Sequence, residues 1–277
     1  MTASDASASF SRPPAAALRP FVDLLWAADG REPSSPTTRE LVLPTGALHL
    51  VVRLEDRPLR VFRTREDAAG FTVGAAVIGG ARAAPYLKDS SNPCASVGAL
   101  LRPGAAGLIL GAPAGVFTGA HWALEDVWGR AAVERLRQRL AELSSPARRL
   151  ALLEAALQAR LLSIRRIDPR IALALAGLRS NAPVSVVAER CDLSQRHFTR
   201  SFREAVGLAP KAWCRVHRFG RALERLAADP ALFLADVAAA EGYADQAHFT
   251  REFRALAGLS PGAYRRRAPL RPRHVPL

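Results

Sequence analysis

Arg196, Thr199, Arg200 and Arg203 are spaced three, one and three residues apart, and the same spacing recurs 51 residues later as Ala247, Thr250, Arg251 and Arg254. On an α-helix such residues share one face. Arginine presents a fork of N–H donors that fits guanine O6 and N7 in the major groove. Threonine reaches a phosphate or a thymine methyl. The opposite face of each helix is apolar: at 100° per residue Phe198, Phe202 and Ala205 fall within about 60° of one another. Phe249, Phe253 and Leu256 form the matching set. One helix of this kind reads as a solvated charged face; two with matched spacing point to nucleic-acid binding.

The similarity extends well beyond these positions. Residues 185–213 and 236–264 are identical at 13 of 29 aligned positions, including His-Phe-Thr-Arg, the following Phe-Arg and Gly-Leu-x-Pro. Each copy has the pattern of a helix-turn-helix unit. Ser185 and Asp236 are expected to cap a short first helix, with Cys191 and Gly242 in the tight turn. Ser194 and Asp245 are expected to cap the second helix, which Gly207 and Gly258 close. Gln246 and His248 complete the candidate DNA-binding set of Arg196, Thr199, Arg200, Arg203, Thr250, Arg251 and Arg254. His197 and His248 lie on the flank between the faces, where packing or capping is the commoner role. Between the copies, Pro210–Asp229 reads as one helix of roughly 28 Å. That is close to the ~34 Å separating successive major-groove faces of B-DNA, so one chain could place two recognition helices in adjacent grooves.

The elements that must carry these helices follow from pattern and composition. From Leu41 to Phe117 short apolar runs alternate with Gly and Pro, which predicts an antiparallel sheet or small barrel; GLILG at 107–111 is among these runs. The period then becomes helical at Val133, Leu136, Leu140 and Leu143. Ser145-Pro146 and Asp168-Pro169 open two further helices. The expected organisation is a loose tail over 1–17, a regulatory domain with C-terminal helices over 18–165, tandem helix-turn-helix units over 166–267 and a basic Pro-rich tail over 268–277.

Net charge is +14 and the sequence pI about 11.2, which favours an anionic partner. From residue 170 onward, 18 Arg and Lys face 9 Asp and Glu, against 21 and 16 before it, so positive charge is denser toward the C-terminus. Cys94, Cys191 and Cys214 have no paired spacing and read as reduced thiols of a cytoplasmic protein. The N-terminus lacks the basic and apolar regions of a signal peptide, and no apolar run is long enough to span a membrane.

Over residues 168–267 the chain resembles the AraC family of bacterial transcription regulators, and the stretch from Asp236 to Arg265 follows that family's C-terminal signature nearly throughout. The resemblance implies two helix-turn-helix modules joined by a linker helix. It also implies base-contacting positions at Arg196, Thr199 and Arg200 and at Ala247, His248 and Arg251. Ala247 departs from the polar residue often found there, and Cys191 replaces the usual small turn residue. Residues 18–165 resemble more loosely a regulatory domain of some members, through ELVLPTGALHLVV, LLRPGAAGLILGAP and WALEDVWG. It implies an α+β chain, with a mostly β, cupin-like barrel and helical extension followed by an all-α double helix-turn-helix domain. Double-stranded DNA is the implied partner. RNA polymerase, a small-molecule effector and a homodimer through the N-terminal domain are compatible with it, and no motif identifies an effector.

Two other readings stay open. A non-specific architectural binder would share the phosphate-directed charge. A cupin-like metal enzyme would need two His and a carboxylate around one metal, whereas only His49 and His121 are available there, without HxH or HxE spacing. No GxSxG, GxGxxG or GxxxxGK[ST] motif is present. Neither an enzyme nor a metal or cofactor site is therefore expected.

Overall fold

The computed structural model describes residues 9–30, 39–57, 59–91, 93–161, 166–267, 269 and 271–277. Its N-terminal part consists of β1 (Ser9–Arg12), β2 (Val22–Asp29), β3 (Arg39–Val42), β4 (His49–Arg53), β5 (Leu59–Phe62), β6 (Phe71–Val73), β7 (Ala76–Gly79), β8 (Tyr86–Asp89), β9 (Ala95–Leu101) and β10 (His121–Ala123). Short helices α1 (Ala106–Ile109) and α2 (Glu125–Trp128) and a tight turn at Ala114–Phe117 are interleaved with the last strands. Helices α3 (Arg130–Ala141) and α4 (Pro146–Arg160) follow. The C-terminal part contains α5 (Pro169–Arg179), α6 (Val184–Arg190), α7 (Gln195–Val206), α8 (Pro210–Ala228), α9 (Leu234–Ala240), α10 (Gln246–Ala257), α11 (Pro261–Arg267) and a final strand, β11 (His274–Pro276).

The expected barrel is two separate antiparallel sheets, ordered β1-β2-β9-β4-β7-β10 and β11-β3-β8-β5-β6. The three-residue edge strands β10 and β6 lie beside each other without sharing a ladder, so the wall does not close. In β4 the alternation puts Leu50 and Val52 on the face covered by helices, and His49 and Val51 on the other. Leu150, Leu153 and Leu157 of α4 are sealed, and α4 packs on β2 and β9. The GLILG run, expected as a strand, is the helical turn α1, which buries Leu108 and Ile109. β1, β2, β10 and β11 lie outside the region from Leu41 to Phe117 in which strands are expected.

Both expected tails are partly ordered. β1 pairs with β2, Arg12 forms an ion pair with Glu154 of α4 at 2.6 Å, and the Ala15 N–H donates to the same carboxylate. Leu18 is fully buried. At the other end β11 pairs with β3, so the last strand of the chain belongs to an N-terminal sheet. Leu43 N–H donates to Arg273 O at 2.9 Å, Arg273 Nη1 donates to Pro44 O at 2.6 Å, and Tyr264 Oη donates to Pro272 O at 2.8 Å. An unpaired edge of β3 and an apolar Val275, now fully buried, account for this docking. The boundary expected between residues 165 and 166 falls at the end of a segment, 162–165, that lies outside the described residues.

The helical part is organised around α8, whose Trp213, Val216, Phe219, Leu223 and Leu226 form a buried stripe. Phe202 of α7 meets Trp213 with ring centroids 6.1 Å apart, and Phe253 of α10 meets Phe219 at 5.1 Å. Ala205, expected in the first apolar face, is only half-buried, and Val206 takes the core position. Acidic side chains of the second unit also clasp α8. Glu241, 3% exposed, binds Arg221 at 2.6 Å and also Arg225. Glu252 binds Arg215 at 2.7 Å and Arg218 at 3.1 Å.

Replacing Phe202 or Phe253 with Ala is expected to cost about 3–5 kcal/mol, the usual range for a buried Phe. Unchanged denaturation midpoints would show the side chain to be exposed. Glu241→Gln is expected to cost about 2–4 kcal/mol, below the figure for a sealed ion pair because both arginines keep solvent contact. Chemical denaturation of the variant reads this directly.

Candidate nucleic-acid interface

Both recognition helices are fixed at their ends by their own sequence. Ser194 Oγ accepts from the His197 N–H at 3.4 Å, and Asp245 accepts from the His248 N–H at 2.6 Å. Gly207 and Gly258 close α7 and α10 in the left-handed conformation, with φ of 88° and 69°. The first helices begin slightly earlier than expected. Pro183 and Phe233 already hold the extended backbone of a cap, so Ser185 and Asp236 lie in the first turn instead. The turns differ as well. Gly242 has φ 72°, but its counterpart Cys191 stays at −93° and Asp192 carries the left-handed conformation at 54°. A β-carbon penalises that conformation, and Asp tolerates it better than most residues.

On α7, Arg196, Arg200 and Arg203 are exposed. Thr199 is half-buried, and its hydroxyl donates back to Gln195 O at 2.8 Å. Arg200 pairs with Glu204 at 3.2 Å, and both side chains are more than half exposed, so this contact holds Arg200 only weakly. On α10, Gln246, Ala247, Arg251 and Arg254 are exposed and Thr250 is half-buried. His248 is held differently: its Nδ1 accepts from the Ala244 N–H at 3.3 Å, and its ring meets Tyr243 edge-on at 5.5 Å. That arrangement matches a capping and packing residue. Arg265 donates to Leu232 O and Arg267 to Pro276 O, so both arginines at the end of the second unit are engaged within the chain.

Sequence reasoning missed the clasp on α8. Glu241 and Glu252 stand where the first copy has Arg190 and Ser201, while Arg215, Arg218, Arg221 and Arg225 recur at helical spacing on α8. That copy-to-copy difference was the available signal. It also means that part of the basic excess is neutralised internally.

The N-terminal part touches the first recognition helix and leaves an open groove beside it. The Thr118 hydroxyl donates to Gly207 O at 2.7 Å, at the C-terminal cap of α7. Gly115 lies so close that a β-carbon there would sit 3.3 Å from the backbone of Arg203 and Glu204. Pro113, Gly115 and Val116 wall one side of a groove of about 1080 Å³, and Arg196, Thr199, Arg200 and Arg203 wall the other. The face of α7 that carries the arginines therefore looks onto the N-terminal part. Among the described residues no helix is long and apolar enough to cross a membrane.

Residues 187–267 match the family described as "Helix-turn-helix domain", and residues 11–123 match a "Domain of unknown function (DUF6597)". No curated protein matches the chain. Among solved structures, the C-terminal domain of AraT, a response regulator from Geobacillus stearothermophilus, is 25% identical. That match covers 37% of this chain and 88% of the other, with a TM-score of 0.34. An AraC-type regulator domain from Chromobacterium violaceum is 20% identical over 37% and 94%, with a TM-score of 0.33. Unsaturated-fatty-acid-bound ToxT from Vibrio cholerae is 9% identical over 96% and 97%, with a TM-score of 0.46. The tandem units, their capped recognition helices and the domain match lead to one assignment: residues 187–267 form a helix-turn-helix domain, and the chain is a DNA-binding transcription regulator.

Proposed function

We propose that the chain binds specific DNA sequences by inserting α7 and α10 into adjacent major grooves, and that its N-terminal domain regulates this binding. The observation that carries the first part is the pair of exposed arginine faces on two capped helices that both seat on α8, α7 at Trp213 and α10 at Phe219. Arg196, Arg200 and Arg251 are the side chains best placed to read base edges. Thr199, Arg203, Gln246, Thr250 and Arg254 suit phosphate or base contact at the rim. His248 acts through the cap of α10, and Arg266 and Lys211 add general charge.

The regulatory reading draws on the contact at α7. A duplex lying along the arginine face has to share space with Pro113 and Val116, so the docked arrangement disfavours DNA at the first module. The N-terminal domain then controls affinity through the stability of its contact with Gly207 and with the backbone of Arg203 and Glu204. In this reading an effector acts by altering that contact. The chain carries out no chemistry on its DNA, and its place of action is the cytoplasm.

Selection of binding sites from random DNA is expected to give two base clusters for the wild type. Arg200→Ala should relax preference within one cluster and Arg251→Ala within the other, each costing about 1–3 kcal/mol. Identical preferences for all three proteins would leave non-specific attraction as the better account. Affinity should fall steeply as salt rises. Thr118→Val removes the hydrogen bond to Gly207 and should raise DNA affinity about two- to tenfold, the equivalent of one such bond. A lower or unchanged affinity would contradict the regulatory contact.

A further inference from the structure

One loop of the N-terminal part meets both recognition helices at equivalent positions. Gly207 and Gly258 close α7 and α10 and lie 51 residues apart in the repeat. A β-carbon on Gly207 would stand 2.9 Å from Cβ of Ala81, and one on Gly258 would stand 3.7 Å from Cγ of Pro85. Ala81 and Pro85 belong to the loop over 80–85, which leaves β7 in one sheet and enters β8 in the other. Glycine at 207 thus serves two needs, a left-handed turn and room for Ala81.

The loop is held stiffly. Gly119 N–H donates to Ala81 O, and Gly80 N–H donates to Ala120 O, both at 2.9 Å. Arg82 donates to the same Ala120 carbonyl at 3.2 Å and lies over the Tyr86 ring at 4.3 Å. Pro85 fixes its own φ. Each helix-turn-helix unit, moreover, rests on a different sheet. The first meets Ala81 after β7 and Thr118 before β10, two strands that pair with each other. The second meets Pro85 just before β8, and its Tyr264 donates to Pro272 just before β11, in the same sheet as β8.

This bracket supplies a constraint that α8 lacks. Glu241 and Glu252 fix the second unit on α8 through four arginines. The first unit has Arg190 and Ser201 at the matching positions, and α7 meets α8 through the Phe202–Trp213 contact. Apolar contact is non-directional, so it leaves the rotation of α7 to be set elsewhere. Gly207 and Gly258 are also the helix ends remote from Arg196, Arg200 and Arg251. A hold at those ends orients both helices without occupying the positions that read bases.

We propose that the 80–85 loop is a bracket that fixes the rotation of α7 relative to α10, and thereby restricts the chain to DNA whose two base clusters have one spacing. Ala81 and Pro85 are positioning residues and do not touch the DNA. The inference rests on the adjacent-groove reading and adds to it a determinant of spacing. One base pair added between the clusters moves the second by about 3.4 Å and turns it by about 34°. Stiffly joined modules engage together only where the join matches the span, whereas a flexible join tolerates both changes.

The test is fluorescence-anisotropy titration of the full chain on a site selected by the wild type, and on the same site with one base pair inserted or deleted between its clusters. The wild type is expected to bind both shifted sites at least about tenfold more weakly. A Gly-Gly insertion between Ala84, which is exposed, and Pro85 should keep affinity for the parent site within about threefold. It should also cut the penalty on the shifted sites to about threefold or less. If the insertion melts early, Pro85→Gly carries the test with the same expectation, because it removes the contact with Gly258. The bracket is overturned if the wild type binds shifted and parent sites equally, or if the variant keeps the wild-type penalty. A variant that weakens on every site alike keeps that penalty and counts against it. Footprints of the same complexes separate the two readings. Two protected clusters with an unchanged penalty remove the bracket alone, whereas a single cluster on the parent site removes the adjacent-groove reading as well.

Discussion

Helix α8 sets the distance between the two recognition helices, and the rest of the DNA-binding part depends on that constraint. Its apolar stripe seats Phe202 of one unit and Phe253 of the other, so both units are built onto one rigid rod. Hydrophobic contact alone is non-directional. Direction in the second unit comes from Glu241 and Glu252, each gripping two arginines of α8 and fixing the rotation of α10 about its own axis. The first unit has no such clasp at the matching positions, Arg190 and Ser201. It is instead held from outside, by the N-terminal turn that contacts Gly207.

That asymmetry fits a division of labour between the units. The second is fixed by the helical part itself, while the first shares its outer surface with the N-terminal part. The chain's last strand strengthens the link, because β11 lies in an N-terminal sheet and Arg273 reaches the linker helix. Motion of the N-terminal part therefore has two mechanical outlets, the Ala114–Phe117 turn and the C-terminal strand.

Local grammar was readable in the sequence wherever it acts over a few residues. The capping roles of Ser194 and Asp245, the closing glycines and the 19-residue linker all rest on short-range chemistry. Long-range pairing was not readable. By composition 268–277 reads as a basic tail, whereas β11 within it docks on the edge of β3, more than two hundred residues earlier. GLILG looked like a strand by composition and became α1 because packing, not propensity, decides short apolar runs. The barrel expectation named the right strand-rich region but not the two unjoined sheets. At the candidate site, exposure of Arg196, Arg200, Arg203, Arg251 and Arg254 followed from helical periodicity. The ties on Arg265 and Arg267 did not, since their partners, Leu232 and Pro276, lie outside the repeated pattern.

The central claim is that one chain holds two recognition helices at a separation matched to adjacent grooves. Hydroxyl-radical footprinting of the full chain on a selected binding site tests it most directly. Two protected clusters on one face of the duplex, about 10 bp apart, are predicted. A single protected cluster, or even protection along the whole duplex, would contradict the account.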